Sequence, residues 1–193
     1  MTVAIIDCGG ANLRSVQKAV ELQNMDTIIT NKRNELSNAS FVILPGVGCA
    51  KTVMSSLEAS NLRDTIINLT KPVLGICIGM HVLFDHSDEH DTDCLGIISG
   101  NIKRFDLKKD FKVPQMGWNK VSFVQDKEKD LNDYYYFANS YYTDNNDYAI
   151  GHSYYGQKFN SIVKKDNFLG CQFHPEKSSD IGEKFIKNFI NTI

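Results

Sequence analysis

Short apolar runs rich in branched residues occur at positions 3–6, 27–30, 41–44 and 73–77, without the polar alternation of a half-exposed strand. Buried parallel strands have this texture, because helices cover both faces of such a sheet. Between the runs the spacing becomes helical. Positions 12–22 place Leu13, Val16 and Val20 on one helix face, and 51–69 hold two short helices broken near Ser60 and Asn61. The first half therefore predicts a βαβαβ-like order. Beyond Leu95 the pattern turns strand-like at 96–105, 119–124, 134–142, 160–164 and 168–173, with turn signals at 144–147 and 165–167. That half predicts a mixed or antiparallel arrangement. The chain closes on 180–193, where Ile181, Phe185, Phe189 and Ile190 form one apolar stripe behind a cap at Ser179 or Asp180.

Length agrees with this reading: 193 residues suffice for one sheet covered on both faces, and one domain over 1–193 is expected, with no room for a second catalytic domain. Charge then disfavours whole classes of partner. With 21 basic and 23 acidic residues scattered along the chain, a net charge of −2 offers no field to draw in nucleic acid or an anionic membrane. Asp7 interrupts the N-terminal apolar stretch, and no later run approaches the ~20 apolar residues a membrane span requires. A soluble, cytoplasmic protein is expected. The five cysteines (Cys8, Cys49, Cys77, Cys94, Cys171) are odd in number and form no C-x-x-C pair, which suits a reducing compartment better than a disulfide framework or a zinc site. His81, His86, His90 and His152 likewise lack metal-like spacing, and no metal or organic cofactor is expected.

Chemistry concentrates where the fourth buried run ends. Lys71-Pro-Val-Leu-Gly-Ile-Cys-Ile-Gly-Met80 reads as a strand running into Gly75-x-Cys77-x-Gly79 and then into a helical segment at 80–84. A nucleophile on a sharp strand-to-helix turn needs small flanking residues, since the backbone is crowded there. At a helix N-terminus the dipole and free N–H groups favour a thiolate and can hold an oxyanion, with the Ile78 N–H as first donor. Taken alone, the motif is also compatible with a structural strand cysteine between two turn glycines. The second signal is Gly170-Cys-Gln-Phe-His174-Pro-Glu176, a strand ending in a histidine with a carboxylate two residues later, on the same side of an extended chain. A Cys77–His174–Glu176 relay follows, with His174 moving the proton and Glu176 orienting the ring. The third is Leu44-Pro-Gly-Val-Gly48, directly after a buried strand, where Gly46 and Gly48 permit positive φ and Val47 and Gly48 are candidates to complete an oxyanion hole.

In this order and spacing the three pieces resemble the class I, triad-type glutamine amidotransferases, and within them the glutaminase subunits of imidazole glycerol phosphate synthases. The likeness runs nearly end to end. It includes Gly10-Ala-Asn-Leu-Arg-Ser15, Leu95-Gly-Ile-Ile-Ser-Gly100, Pro114-Gln-Met-Gly-Trp-Asn119, Tyr135-Tyr-Phe-Ala-Asn-Ser-Tyr-Tyr142 and Gln172-Phe-His-Pro-Glu-Lys-Ser178. The Pro114 and Tyr135 blocks separate this subfamily from the anthranilate, carbamoyl phosphate and guanylate systems. The resemblance implies a three-layer α/β fold with a mainly parallel central sheet flanked by helices and a C-terminal mixed or antiparallel portion. It also implies L-glutamine as substrate and a (βα)₈-barrel cyclase partner that receives ammonia in histidine biosynthesis. Matching positions imply that Glu89 meets the glutamine ammonium, that Gly46 and the Ser140–Tyr141 backbone hold the rest of the substrate, and that Asn12, Trp118, Asn119, Tyr136 and Lys177 lie at the partner interface.

Four departures stand out against that pattern. His81 replaces a usual substrate-site glutamine, Gln115 replaces a histidine, Ala138-Asn139 replaces a valine–histidine pair, and the first strand ends in Asp7-Cys-Gly-Gly rather than the aspartate–tyrosine–glycine form. They touch the substrate site and the partner face and leave the triad intact. A second possibility is therefore a paralogue feeding ammonia to a sugar amidotransferase that builds acetamidino sugars for surface glycans. A non-catalytic regulatory subunit and a cysteine peptidase or redox chaperone on a related fold are further alternatives, opposed by the intact triad and by the late histidine beside Glu176.

Overall fold

The computed structural model describes residues 1–9, 12–46, 48–107 and 111–191. Its first half follows the predicted alternation: β1 (Thr2–Ile6), α1 (Leu13–Glu21), β2 (Asp26–Thr30), α2 (Arg33–Asn38), β3 (Phe41–Leu44), α3 (Ala50–Ala59), α4 (Arg63–Ile67), β4 (Val73–Ile76) and the single turn α5 (Ile78–His81). The strands β1, β3 and β4 are buried almost throughout, as their unbroken apolar runs require. The break between α3 and α4 falls where expected, with Asn61 at φ 53°.

The second half supplies β5 (Phe84–Ser87), β6 (Thr92–Asp93), β7 (Ile98–Arg104), β8 (Gln115–Phe123), β9 (Asp133–Asn139), β10 (Tyr141–Tyr142), β11 (Ala149–Tyr155), β12 (Gln157–Lys165), β13 (Phe168–Cys171) and the C-terminal α6 (Ser179–Ile190). One nine-stranded sheet runs β2-β1-β3-β4-β13-β12-β11-β8-β9. Its β2-β1-β3-β4-β13 half is parallel and the remainder antiparallel. A smaller sheet, β10-β7-β5-β6, joins the large one through Phe105, whose ring stacks on Tyr142 and meets Phe159 edge-on.

Helices cover both faces of the large sheet. On β13, Gly170 faces Met80 of α5, whereas Phe173, three positions on, packs against Phe185 of α6. Phe173 also meets Tyr135 and Phe137 of β9, and His174 N donates to Tyr136 O, so β9 curls back over the end of β13. Each such ring pair adds ~0.5–1.5 kcal/mol beyond area burial.

Three expectations change. The helical segment predicted at 80–84 is the turn Ile78–His81; Phe84 instead opens β5, buried and paired with Ile98. The helix cap expected at Ser179 or Asp180 is Ser178, whose hydroxyl donates to His174 O and accepts from Tyr136 N rather than from its own helix. The strand foreseen at 134–142 is two, β9 and β10, divided at Ser140. α2, β5, β6 and β11 show no period in the sequence, each being too short or too mixed in texture. The predicted Val47, Gly10, Ala11 and the last two positions of the C-terminal helix lie outside the described residues.

Candidate active site

The carboxyl ends of β1, β3, β4 and β13 converge on one edge of the sheet, where open α/β folds place ligands. Cys77 follows β4 there at φ 54° and ψ −108°, a conformation a side chain rarely adopts. Three backbone bonds hold it: Cys77 N to Cys171 O (2.8 Å), and Met80 N and His81 N to Cys77 O (3.0 and 3.1 Å). The glycines around it are dictated by space. A Cβ on Gly79 would lie 1.8 Å from Leu44 O, and one on Gly75 would lie 2.6 Å from Gly79 O. A Cβ on Gly46 would come within 2.4 Å of Gly79 N. The β3 exit and the elbow are thus two halves of one backbone contact. This corrects the expectation for Gly46, which is required by close approach rather than by positive φ; Gly48 has the left-handed conformation, at φ 89°.

His174 leaves β13 facing the elbow. Its Nδ1 lies 2.8 Å from Glu176 Oε1 in a pair whose side chains are almost fully buried, which leaves Nε2 as the nitrogen available to Cys77. Burial depresses the imidazole pKa most strongly, but the charge of Cys77, a hydrogen bond to it, and the hydrogen bond and charge of Glu176 together outweigh that and raise it to about 10. His174 is thereby held as imidazolium beside the sulfur of Cys77. Cys77 itself is 3% exposed, with Ala138 O 4.0 Å from its Sγ, so β9 forms a wall of the site. Ile78 N belongs to the first turn of α5, where N–H groups have no intrahelical partner.

A family model described as "Glutamine amidotransferase class-I" matches residues 4–193. The chain belongs to the class-I glutamine amidotransferases. The amidotransferase is 40% identical to "Imidazole glycerol phosphate synthase subunit HisH 2" of Legionella pneumophila (strain Paris), covering 98% of this chain and 97% of that protein. It is 42% identical to the protein of the same name in Campylobacter jejuni (strain RM1221), with both covered in full. To the subunit named HisH of Haemophilus influenzae it is 40% identical, covering 100% of this chain and 98% of that one. In fold it is similar to a solved glutamine amidotransferase at TM-score 0.77 and 15% identity, covering 97% of each chain. A second solved structure, PurLQS from Thermotoga maritima, matches at TM-score 0.75 and 15% identity, over 98% of this chain and 97% of that one.

The remaining candidates of this amidotransferase fall into two groups around the elbow. Gly46, Asn12 and Lys177 line one shallow depression with His174 and Glu176. Lys177 Nζ sits 5.8 Å from the centroid of Tyr136, which meets Trp118 edge-on at 6.3 Å across the β8–β9 pair. Strand alternation places Met116 and Tyr134 beside them on the same face. Met116, Trp118 and Tyr134 are 67%, 53% and 55% exposed, an apolar patch beginning next to the His174–Glu176 turn. Met116 and Tyr134 were missed because the β8–β9 register that aligns them is not written locally. Asn119 points to the other face, its amide donating to Tyr154 O.

Glu89 Oε2 accepts from Ala50 N at the start of α3 (2.9 Å). Ser140 O accepts from Phe105 N and Tyr141 O from the Asn139 amide, so the protein itself occupies both carbonyls. His81 is buried, with Nε2 2.7 Å from Gln172 Oε1. Gln172, which carried no role in the sequence reading, reaches Cys77 Sγ with its Nε2 at 3.8 Å.

Proposed function

We propose that the chain is the glutaminase subunit that hydrolyses L-glutamine and delivers the ammonia to a (βα)₈-barrel cyclase forming imidazole glycerol phosphate in histidine biosynthesis. The observation that carries the reading is a cysteine on a strained elbow beside a buried His174–Glu176 pair at 2.8 Å. The Cys77 thiolate attacks the carboxamide carbon, and the Ile78 N–H, with Gly48 as the second candidate donor, accommodates the oxyanion. The C–N bond breaks as the His174 imidazolium protonates the leaving nitrogen, releasing ammonia and a glutamyl thioester. The neutral imidazole then takes a proton from water as its oxygen attacks the thioester. Glutamate leaves, and thiolate and imidazolium are restored. Glu176 keeps the Nδ1 proton and the ring orientation through both steps. Glu89, Gly46 and the Ser140–Tyr141 backbone are the proposed substrate contacts, and the Asn12, Trp118, Tyr136 and Lys177 region the proposed partner face; His81, buried with Nε2 on Gln172, and Asn119, on the opposite strand face, stand outside both. Among the described residues no helix is long and apolar enough to cross a membrane, and the proposed setting is the cytoplasm.

The test is glutamine hydrolysis by the chain with its cyclase. Cys77→Ala and Cys77→Ser should abolish turnover while leaving the fold and partner binding nearly intact; Cys77→Ala activity within about tenfold of wild type would overturn the assignment. The departures at His81, Gln115 and Ala138-Asn139 motivate a second reading, a paralogue that feeds a sugar amidotransferase. Stimulation of glutaminase activity by that enzyme and not by a cyclase would select it.

A further inference from the structure

Gln172 is fully buried and takes no part in the mechanism above, yet its side chain bridges α5 and the sulfur. Its Oε1 lies 2.7 Å from His81 Nε2, and its Nε2 lies 3.8 Å from Cys77 Sγ. With Oε1 turned toward the ring the carboxamide accepts, which pairs it with the His81 tautomer that carries its proton on Nε2. That proton decides which end of the carboxamide the sulfur meets. With Oε1 held by His81, the NH₂ group faces Cys77 and donates toward a thiolate. With the proton on Nδ1 instead, the amide would flip and set a lone pair against the negative sulfur.

We propose that His81 and Gln172 form a relay that supports the Cys77 thiolate, Gln172 as the direct donor and His81 as the positioning residue that fixes its orientation. The inference rests on Cys77 being the nucleophile, but it concerns the resting enzyme and needs no substrate. Two further observations support it. His81 is 1% exposed, and burial, opposed by the Gln172 bond, lowers its pKa to about 4, so the ring is neutral across the physiological range and has a single proton to place. Among the described residues His81 Nδ1 is buried without a hydrogen-bond partner, as the unprotonated nitrogen of the Nε2–H tautomer would be. The backbone fixes the distance as well, since His81 N donates to Cys77 O at 3.1 Å one turn away.

The experiment is alkylation of Cys77 by iodoacetamide in the full chain at pH 7 without glutamine. The rate is followed on the Cys77 peptide by mass spectrometry, and folding is confirmed by thermal melting. Gln172→Leu and His81→Phe should each slow alkylation at least about fivefold, and Gln172→Glu, which swaps the donor for an anionic acceptor, at least as much. His81→Gln, which can still offer an N–H, should stay within about twofold of wild type, and the double variant Gln172→Leu/His81→Phe should be no slower than Gln172→Leu alone. If the Leu and Phe variants do not fold, the near-isosteric Gln172→Glu and His81→Gln carry the comparison. Wild-type rates in folded Gln172→Glu, or equal slowing by His81→Gln and His81→Phe, would overturn the relay. A wild-type Cys77 no more reactive than Cys49 would instead sink the nucleophile assignment itself.

Discussion

A side chain at the Cys77 backbone angles costs ~1–3 kcal/mol, and the bonds from Cys77 N, Met80 N and His81 N hold that strain in place. The return is a sulfur set beside a histidine whose proton is held unusually tightly. Because the folded pKa of His174 is raised from 6.5 to about 10, its stabilising contribution should be full below about pH 6.5 and be lost as pH rises through about 10. Urea midpoints of wild type and His174→Gln should therefore converge between pH 6.5 and 10, and parallel curves would contradict the assignment. Removing the sulfur takes away the two leading upward causes, so the His174 imidazole should titrate lower in Cys77→Ala than in wild type, as read by NMR. Turnover should separate His174 from Glu176 as well. Glu176→Gln should impair it less than His174→Ala, because an amide still orients the ring although it stabilises the imidazolium poorly.

At the scale of elements, the elbow is a contact between two strand exits, and its glycines differ in kind. Gly79→Ala would drive a Cβ into Leu44 O, a backbone atom that cannot swing aside, and should destabilise the fold by ~3 kcal/mol or more. Gly48→Ala meets no described residue within 4 Å and carries the strain of φ 89°, so about 1 kcal/mol is expected. Chemical denaturation of both variants checks the order, and equal losses would contradict the contact. The strand runs of the parallel half were legible because strands buried on both faces must be apolar at every position. β11 was not, since Ala-Ile-Gly-His-Ser-Tyr-Tyr mixes both textures and is held by pairing with β8 and β12.

For the whole molecule, the exposed Met116, Trp118 and Tyr134 lie where β9 closes over the site. A surface of this kind is a candidate to transmit partner binding to the oxyanion side of the elbow. The isolated chain should hydrolyse glutamine poorly, and a barrel cyclase with its nucleotide ligand should raise the rate at least tenfold, which needs only ~1.4 kcal/mol of differential stabilisation. Steady-state assays of the chain alone, with partner, and with partner plus ligand check this; a free chain already at full rate would contradict it. Trp118→Ala should weaken partner binding at least about tenfold by calorimetry, with little change in melting temperature, because the ring is half in solvent.

The sequence by itself determined the parallel core, the elbow and the family, because each is set within a few residues by burial period or small-residue spacing; it also paired His174 with Glu176, but through an extended chain, whereas the contact is made by a tight turn at Pro175–Lys177. The tertiary structure alone decided that Gly46 is demanded by Gly79, that Met116 and Tyr134 join Trp118 and Tyr136, and that Gln172 reaches Cys77 across 95 positions. These depend on strand register and on which exits converge. Such contacts form between segments far apart in the chain, where no local spacing encodes the partner.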